Sequence, residues 1–506
     1  MRNTKQISSA FMLLTGVAWA AMVSTNAVAE LRAGVAKVDI TDQAAGPVND
    51  PLFAKALVLS TEDTTVVLIT VDAVAIGEIG PVSSAFLPSV RGQLQETLGI
   101  PPAHVLVNAS HCHGLVRADA DQLTVQAVKE AWSNLAPVRA GAGVAQEERI
   151  SENRRLSMKD GSEVDMRRAY ALPPDEDVAA VGPIDPEVGL LRLDRLDGRP
   201  LAIIYNFACH PIMNPPGTGN SADFPGFASK VIEAGLGNGA VALFIQGCGG
   251  DINPIRYKDV QRPPSAEPLG NMLGVTVLDA VRSIETQATG KLSVASEVIA
   301  LPRGVDLERR IAAIETEQVD LVRALTPTDI NFKTFLPLYI EQKISPEFPS
   351  YYAQGYLHEK MLGREDWTRL DAANRQHVNA YLENIAAMER LTRLNVNLAL
   401  LKQHLAQNQA AGSDTLDAEI SGLRVGDFHL ITFPGELTVE IGLNLKLAAP
   451  SPFSFIAGYT NGYLYYLPTA AQRNNTGYAQ EDCDSLVAPE WQAIFEAKAL
   501  QVLNQL

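Results

Sequence analysis

Between residues 31 and 300 the chain alternates two hydrophobic patterns. Short apolar runs, many rich in β-branched residues, recur at 33–40, 54–59, 65–71, 104–108, 138–144, 190–193, 201–208 and 241–246. Their lengths and composition predict strands. Between them, 83–98, 123–134, 225–234 and 267–284 repeat apolar residues at helical spacing. Alternation of this kind predicts an α/β fold with helices covering the sheets. The turn-forming stretch from Asp194 to Arg199 joins two of the runs as a hairpin, so the sheets should be mixed.

The pattern changes across 305–412. Segments 307–325 and 378–409 carry helix-period apolar positions and dense i to i+4 charge, which predicts a helical insertion. Such a pair reads as a structural element rather than a direct participant in chemistry. A β-rich run at 417–433, a helix at 435–447, a strand at 453–458 and a last helix at 489–506 then restore the α/β pattern. One α/β domain, 30–506, with the insertion inside it, accounts for the whole pattern.

The first 29 residues are of another kind. Arg2 and Lys5 precede an apolar core at 11–23, and Ala27-Val28-Ala29 supplies small residues before Glu30. That is the layout of a secretory signal cleaved near Ala29, predicting a periplasmic or secreted protein. No later run is long enough for a transmembrane span. The net charge is −17, and the leader holds two of the bases and no acid. A surface so acidic argues against nucleic acid and anionic headgroups as partners, while leaving a small-molecule or lipid-like substrate open. Cys112, Cys209, Cys248 and Cys483 allow three full pairings in an oxidising compartment; disulfides or inert buried thiols are the readings favoured over metal ligands.

Chemistry concentrates where strands end. His111-Cys112-His113 follows the run at 104–108, and His210 follows the run at 201–208. If the first strand continues, His111 and His113 share a face and Cys112 points away. Imidazoles delivered by strand ends suit Zn²⁺, which needs further ligands and an open position to do chemistry. Glu436 lies after a strand and at the expected start of a helix, where the dipole favours its anion. Tyr459, Tyr463, Tyr465 and Tyr466 crowd one Gly/Asn-punctuated loop, with Tyr478 beyond it, and spacing alone selects none of them. Asp251 and Asn253 follow the Gly-rich turn at 247–250, which lacks the ending of a phosphate-binding loop. Asp223 reads equally as a helix cap, and Arg154 as surface chemistry. His104, His358, His377, His404 and His429 stand alone in the sequence and read as structural or exposed.

Taken in order, His-x-His-Gly, Asn-Arg, Asn-Phe-Ala-Cys-His-Pro, Ser-Ala-Asp-Phe-Pro-Gly, Gln-Gly-x-x-Gly-Asp, Pro-Gly-Glu-Leu-Thr and Asn-x-Tyr-x-x-Tyr resemble the neutral/alkaline ceramidase family over roughly residues 31 to 480. The resemblance implies one zinc ion held by His111, His210, Glu436 and Tyr466. It places His113, Arg154 and Tyr478 around the reaction centre, and Asp223, Asp251 and Tyr463 on the substrate side. It implies an amidase that releases fatty acid from an amine with metal-activated water. Two departures stand out: Asn253 occupies the family's serine position, and no C-terminal immunoglobulin-like domain is expected. An esterase or lactonase of the same metal, or a catalytically degenerate metal- or ligand-binding relative, are the competing readings.

Overall fold

The computed structural model describes residues 30–165, 173–214, 219–257, 265–349, 352–477 and 479–506. The expected leader, 1–29, and Tyr478 lie outside them.

Eight strands form the larger sheet. Their order is Val241–Gln246, Pro200–Phe207, Glu187–Arg195, Ala136–Gln146, Arg32–Asp39, Phe53–Ser60, Thr65–Val71 and Val105–Ala109. The centre is antiparallel, including the expected hairpin between Glu187–Arg195 and Pro200–Phe207. At each edge one pair is parallel. A parallel neighbour needs a crossover, and helices Asp223–Leu236 and Phe86–Leu98 supply the two. All of Val105–Ala109 and Val241–Gln246 is buried, which is why both read as continuous apolar runs instead of alternating ones.

A second sheet orders Leu292–Pro302, Thr415–Val425, Phe428–Thr432 and Ser454–Ala457. Its last pair is parallel, bridged by helix Val439–Ala448. The sheets share a core in which Leu57, Leu68 and Leu106 meet Leu423, Leu430 and Phe455. They approach closely at Gly189, where a Cβ would lie 2.3 Å from the Phe455 ring.

The stretch 305–412 is helical. It contains Leu307–Ala324, Phe332–Ile344, Ala353–Met361 and a 46-residue helix, Asp366–Ala411. That last helix is about 70 Å long at 1.5 Å per residue. Towards its C-terminal end Leu394, Leu398 and Leu401 pack on Leu307, Ile311 and Ile314 of the first insertion helix and on Cys483 of the domain. Among the described residues no helix is long and apolar enough to cross a membrane.

All four cysteines are buried and unpaired with one another, so the disulfide alternative falls. Burial raises their thiol pKa values, that of Cys483 to about 12. The inert-thiol reading is the one the packing supports.

Candidate metal centre

Strand Val105–Ala109 ends before His111. The Ser110 N–H donates to Val71 O at 2.9 Å and the His111 N–H to Ala73 O at 2.9 Å, with His111 at φ +69°. This left-handed turn replaces the expected strand continuation, so the two-residue spacing is not what aims His111 and His113. The turn still leaves their rings edge-on with centroids 5.7 Å apart, and sends Cys112 into the core. His210 leaves its own strand with its N–H on Ile252 O at 2.9 Å.

Glu436 also departs from expectation. Instead of opening a helix it forms, with Leu437, a short strand parallel to Tyr466–Leu467, and the helix begins at Val439. Its N–H donates to Tyr465 O at 2.9 Å, so the main chain is fixed by pairing. Gly435 permits this: a Cβ there would meet Leu467 at 2.4 Å. The carboxylate is held by phenols rather than a helix dipole. Tyr459 Oη donates to Oε2 at 3.2 Å and Tyr463 Oη to Oε1. Burial, reinforced by the Glu436 charge, pushes both phenols well above their ordinary pKa and keeps them protonated donors.

Three ligand atoms converge here. One each from His111, His210 and Glu436 lie within 4.8 Å of one another, all buried. His210 Nε2 is 3.0 Å and His111 Nε2 3.6 Å from Glu436 Oε2, and Tyr466 Oη is 3.4 Å from His210 Nε2. The opposite ring nitrogens face carbonyls: His111 Nδ1 lies 2.6 Å from Val74 O and His210 Nδ1 3.0 Å from Ile252 O. A carbonyl requires the Nδ1 proton, so in neutral rings both Nε2 lone pairs point at a carboxylate. Lone pairs facing an anion call for a cation between them, and two imidazoles with a carboxylate are a zinc donor set. Tyr466, in the same cluster, is a candidate fourth ligand.

Arg154 closes one side. Its guanidinium carbon sits 5.5 Å from the Tyr466 ring centroid. Fully buried, it donates from Nε to Glu481 Oε1 at 2.6 Å, from Nη1 to Asn253 Oδ1 at 3.2 Å, and from Nη2 to Gly250 O. Burial alone would lower its pKa, but Glu481 and Tyr466 outweigh that and hold it firmly charged. Arg155 joins the same buried cluster through Glu481, Asp482 and Glu163.

A cleft of about 350 Å³ opens onto the cluster, lined by His111, His113, Arg154, His210, Glu436, Tyr463 and Tyr466 among others. Asn253 stands behind it, holding Arg154. Asp223 and Asp251 use their carboxylates on the main chain. Asp223 accepts from Asn214 N at 2.7 Å and Phe224 N at 2.6 Å; Asp251 Oδ1 accepts from Val439 N at 2.8 Å. Burial pushes both carboxyls up to about 6.

The cleft also contains residues that sequence reasoning did not single out. Leu400 and Gln403 come from the 46-residue helix, and Asp484 from the loop after Tyr466. His404, which stands alone in the sequence, lies on that helix with Nε2 2.8 Å from Asp484 Oδ1. The placing of Leu400, His404 and Gln407 on one helical face, at i, i+4 and i+7, was the available signal.

A buried carboxylate facing two imidazoles at the floor of a cleft, where strands of two mixed sheets end, defines an α/β protein built around a candidate metal centre. Comparison of structures then supplies the fold type. The chain superposes on the crystal structure of neutral ceramidase from Pseudomonas aeruginosa with a TM-score of 0.59 and 16% identity, covering 94% of this chain and 75% of that one. A ceramidase complexed with C2 matches with a TM-score of 0.60, the same identity and the same coverage. The chain therefore has the neutral ceramidase fold. No protein-family model and no curated protein sequence matches it.

Proposed function

We propose that the protein is an exported zinc-dependent hydrolase that cleaves an N-acyl amide of the ceramide type into a carboxylic acid and an amine. The observation that carries this reading is the convergence of His111, His210 and Glu436, with Tyr466 and Arg154 beside them, at the floor of a cleft. The neutral ceramidase fold supports it. His111, His210, Glu436 and Tyr466 would hold the zinc, which when bound would supply Lewis acidity towards water and an acyl carbonyl.

The remaining steps belong to the chain. His113, on the cleft wall, carries a proton from water to the leaving amine. Arg154 offers a fixed positive charge to the developing oxyanion, an interaction whose loss typically slows such reactions about 10²-fold or more. The family resemblance assigns Tyr478 to the same oxyanion. Asn253 cannot act as a nucleophile; its Oδ1 accepts from Arg154 and keeps that guanidinium aimed. Tyr459 and Tyr463 keep Glu436 in place as an anion.

The test is fatty-acid release from an N-acylsphingosine by purified protein, run zinc-loaded, chelator-stripped and as His210→Ala. The expected result is turnover in the first sample alone. Stoichiometric zinc without turnover would remove ceramide as substrate, and failure to bind zinc would remove the metal reading itself.

A further inference from the structure

The cleft that carries the proposed reaction is small, and polar and apolar groups share its lining about equally. Its apolar lining is Val74, Ile79, Ile212 and Leu400; the rest is imidazole, phenol, guanidinium, amide and carboxylate. Its volume, about 350 Å³, is near the lower end of the range for small-molecule sites. A long acyl chain would find few apolar partners here.

Asp484 is the unusual wall residue. It lines the cleft, and its Oδ1 is gripped by His404 Nε2 at 2.8 Å. His404 is fully buried, set by Gln407 on Nδ1 at 2.8 Å and by the Tyr465 ring, with centroids 4.7 Å apart. Gln407 in turn donates to Tyr465 Oη at 2.9 Å. The carboxylate is thus fixed by the insertion helix. It is also fixed relative to the candidate centre, because Asp484 O accepts the Tyr466 N–H at 3.0 Å and Tyr465 bridges to Ser485. A carboxylate so nearly buried is costly next to methylenes and favourable next to a hydrogen-bond donor.

We infer that the substrate is a short N-acyl amine bearing a hydroxyl group near the scissile amide, that Asp484 reads this donor, and that His404 is the positioning residue behind it. The inference rests on the amidase reading above and narrows its substrate class. The insertion is then a specificity wall, not only a structural helical pair.

The experiment uses the zinc-loaded full chain on four soluble amides: N-acetylethylamine, N-acetylethanolamine, N-glycoloylethylamine and N-octanoylethanolamine. At least one of the two short donor-bearing amides should exceed N-acetylethylamine in kcat/KM by tenfold or more. The octanoyl amide should not exceed its acetyl counterpart by more than about tenfold, whereas an apolar tunnel would add about fourfold for each of its extra methylenes. Asp484→Ala and His404→Asn, each checked for an unchanged far-UV spectrum, should reduce the donor preference to below threefold. A wild-type preference below tenfold, or a steep rise with chain length, overturns the inference while leaving the amidase reading intact. Absence of turnover on all four amides and on N-acylsphingosine defeats both. A preference of tenfold or more retained by correctly folded Asp484→Ala would overturn the role of Asp484, and the wild-type comparison tests the substrate class whether or not the variants fold.

Discussion

Replacing Glu481 by Gln should destabilise the protein far more than an ordinary surface substitution. Glu481 is fully buried and accepts from Arg154 Nε at 2.6 Å and Arg155 Nη1 at 3.2 Å. The substitution leaves shape and one acceptor, so packing changes little. What changes is charge balance. Arg155 keeps Asp482 and Glu163, but the hydrogen-bond partners left to Arg154 are Gly250 O, Asn253 Oδ1 and the Tyr466 phenol. A buried guanidinium stripped of its carboxylate costs about 3–5 kcal/mol, because its desolvation remains while the attraction is lost. Urea unfolding at pH 7 should show this as a lowered midpoint with an unchanged slope. Asp197→Asn, which breaks an exposed pair with Arg199, serves as the comparison and should leave the midpoint in place. A loss below 1 kcal/mol for Glu481→Gln would mean that Arg154 finds another countercharge, and would refute the account of its fixed aim at the cleft.

Gly250→Ala would place a Cβ 2.7 Å from Glu436 O and 2.8 Å from Leu437 O, so the strand end carrying Glu436 must shift. We expect about 1–3 kcal/mol of lost stability and a roughly 10- to 100-fold weaker zinc affinity in a chelator competition; unchanged affinity would show that Glu436 is not a ligand. The Asp223 carboxyl titrates near 3.8 when unfolded and about 6 when folded, so its protonated form favours the native state and this contribution is lost as pH rises through 6. The stability of Asp223→Asn relative to wild type should therefore climb by up to about 3 kcal/mol from pH 4 to 7 and then level off, and a flat difference would refute the raised pKa. All four thiols should be silent to a disulfide reagent in the native protein and react after denaturation; rapid native labelling of any one would contradict its burial.

The larger sheet was legible because strands buried on both faces, such as Thr65–Val71, leave unbroken apolar runs, and because its crossover helices are amphipathic. The edge ribbons around Arg155–Met158 were not, since their few residues are held by salt bridges and hydrogen bonds rather than by periodic burial. Helix Phe332–Ile344 was hidden by an internal Pro337 and a stripe of exposed apolar residues that blurs its period. At the site, His111 and His210 stood out because each follows an apolar run that ends as a buried strand. Glu436 was visible as a residue but assigned to the wrong element. Pairing of Glu436 with Tyr466 is non-local and overrides the local preference of Gly-Glu-Leu for a helix start. Glu481, in the short helix Gln480–Cys483, and Asp484 just after it gave no signal, because isolated carboxylates look solvated until their partners arrive from residues 154 and 404.

The candidate centre draws one side chain from each of four strand ends or loops spread from residue 111 to residue 466: its two histidines follow strands of the larger sheet, while Glu436 follows Phe428–Thr432 of the second sheet and pairs with Tyr466. No fragment shorter than that span can hold it. During synthesis or refolding it comes into being only after the sheets have docked across the shared core, and such non-local closure is slow compared with forming either hairpin. A half-folded chain therefore carries isolated imidazoles and an unpaired glutamate but no site, which makes assembly of the centre a report on completed folding rather than a seed for it.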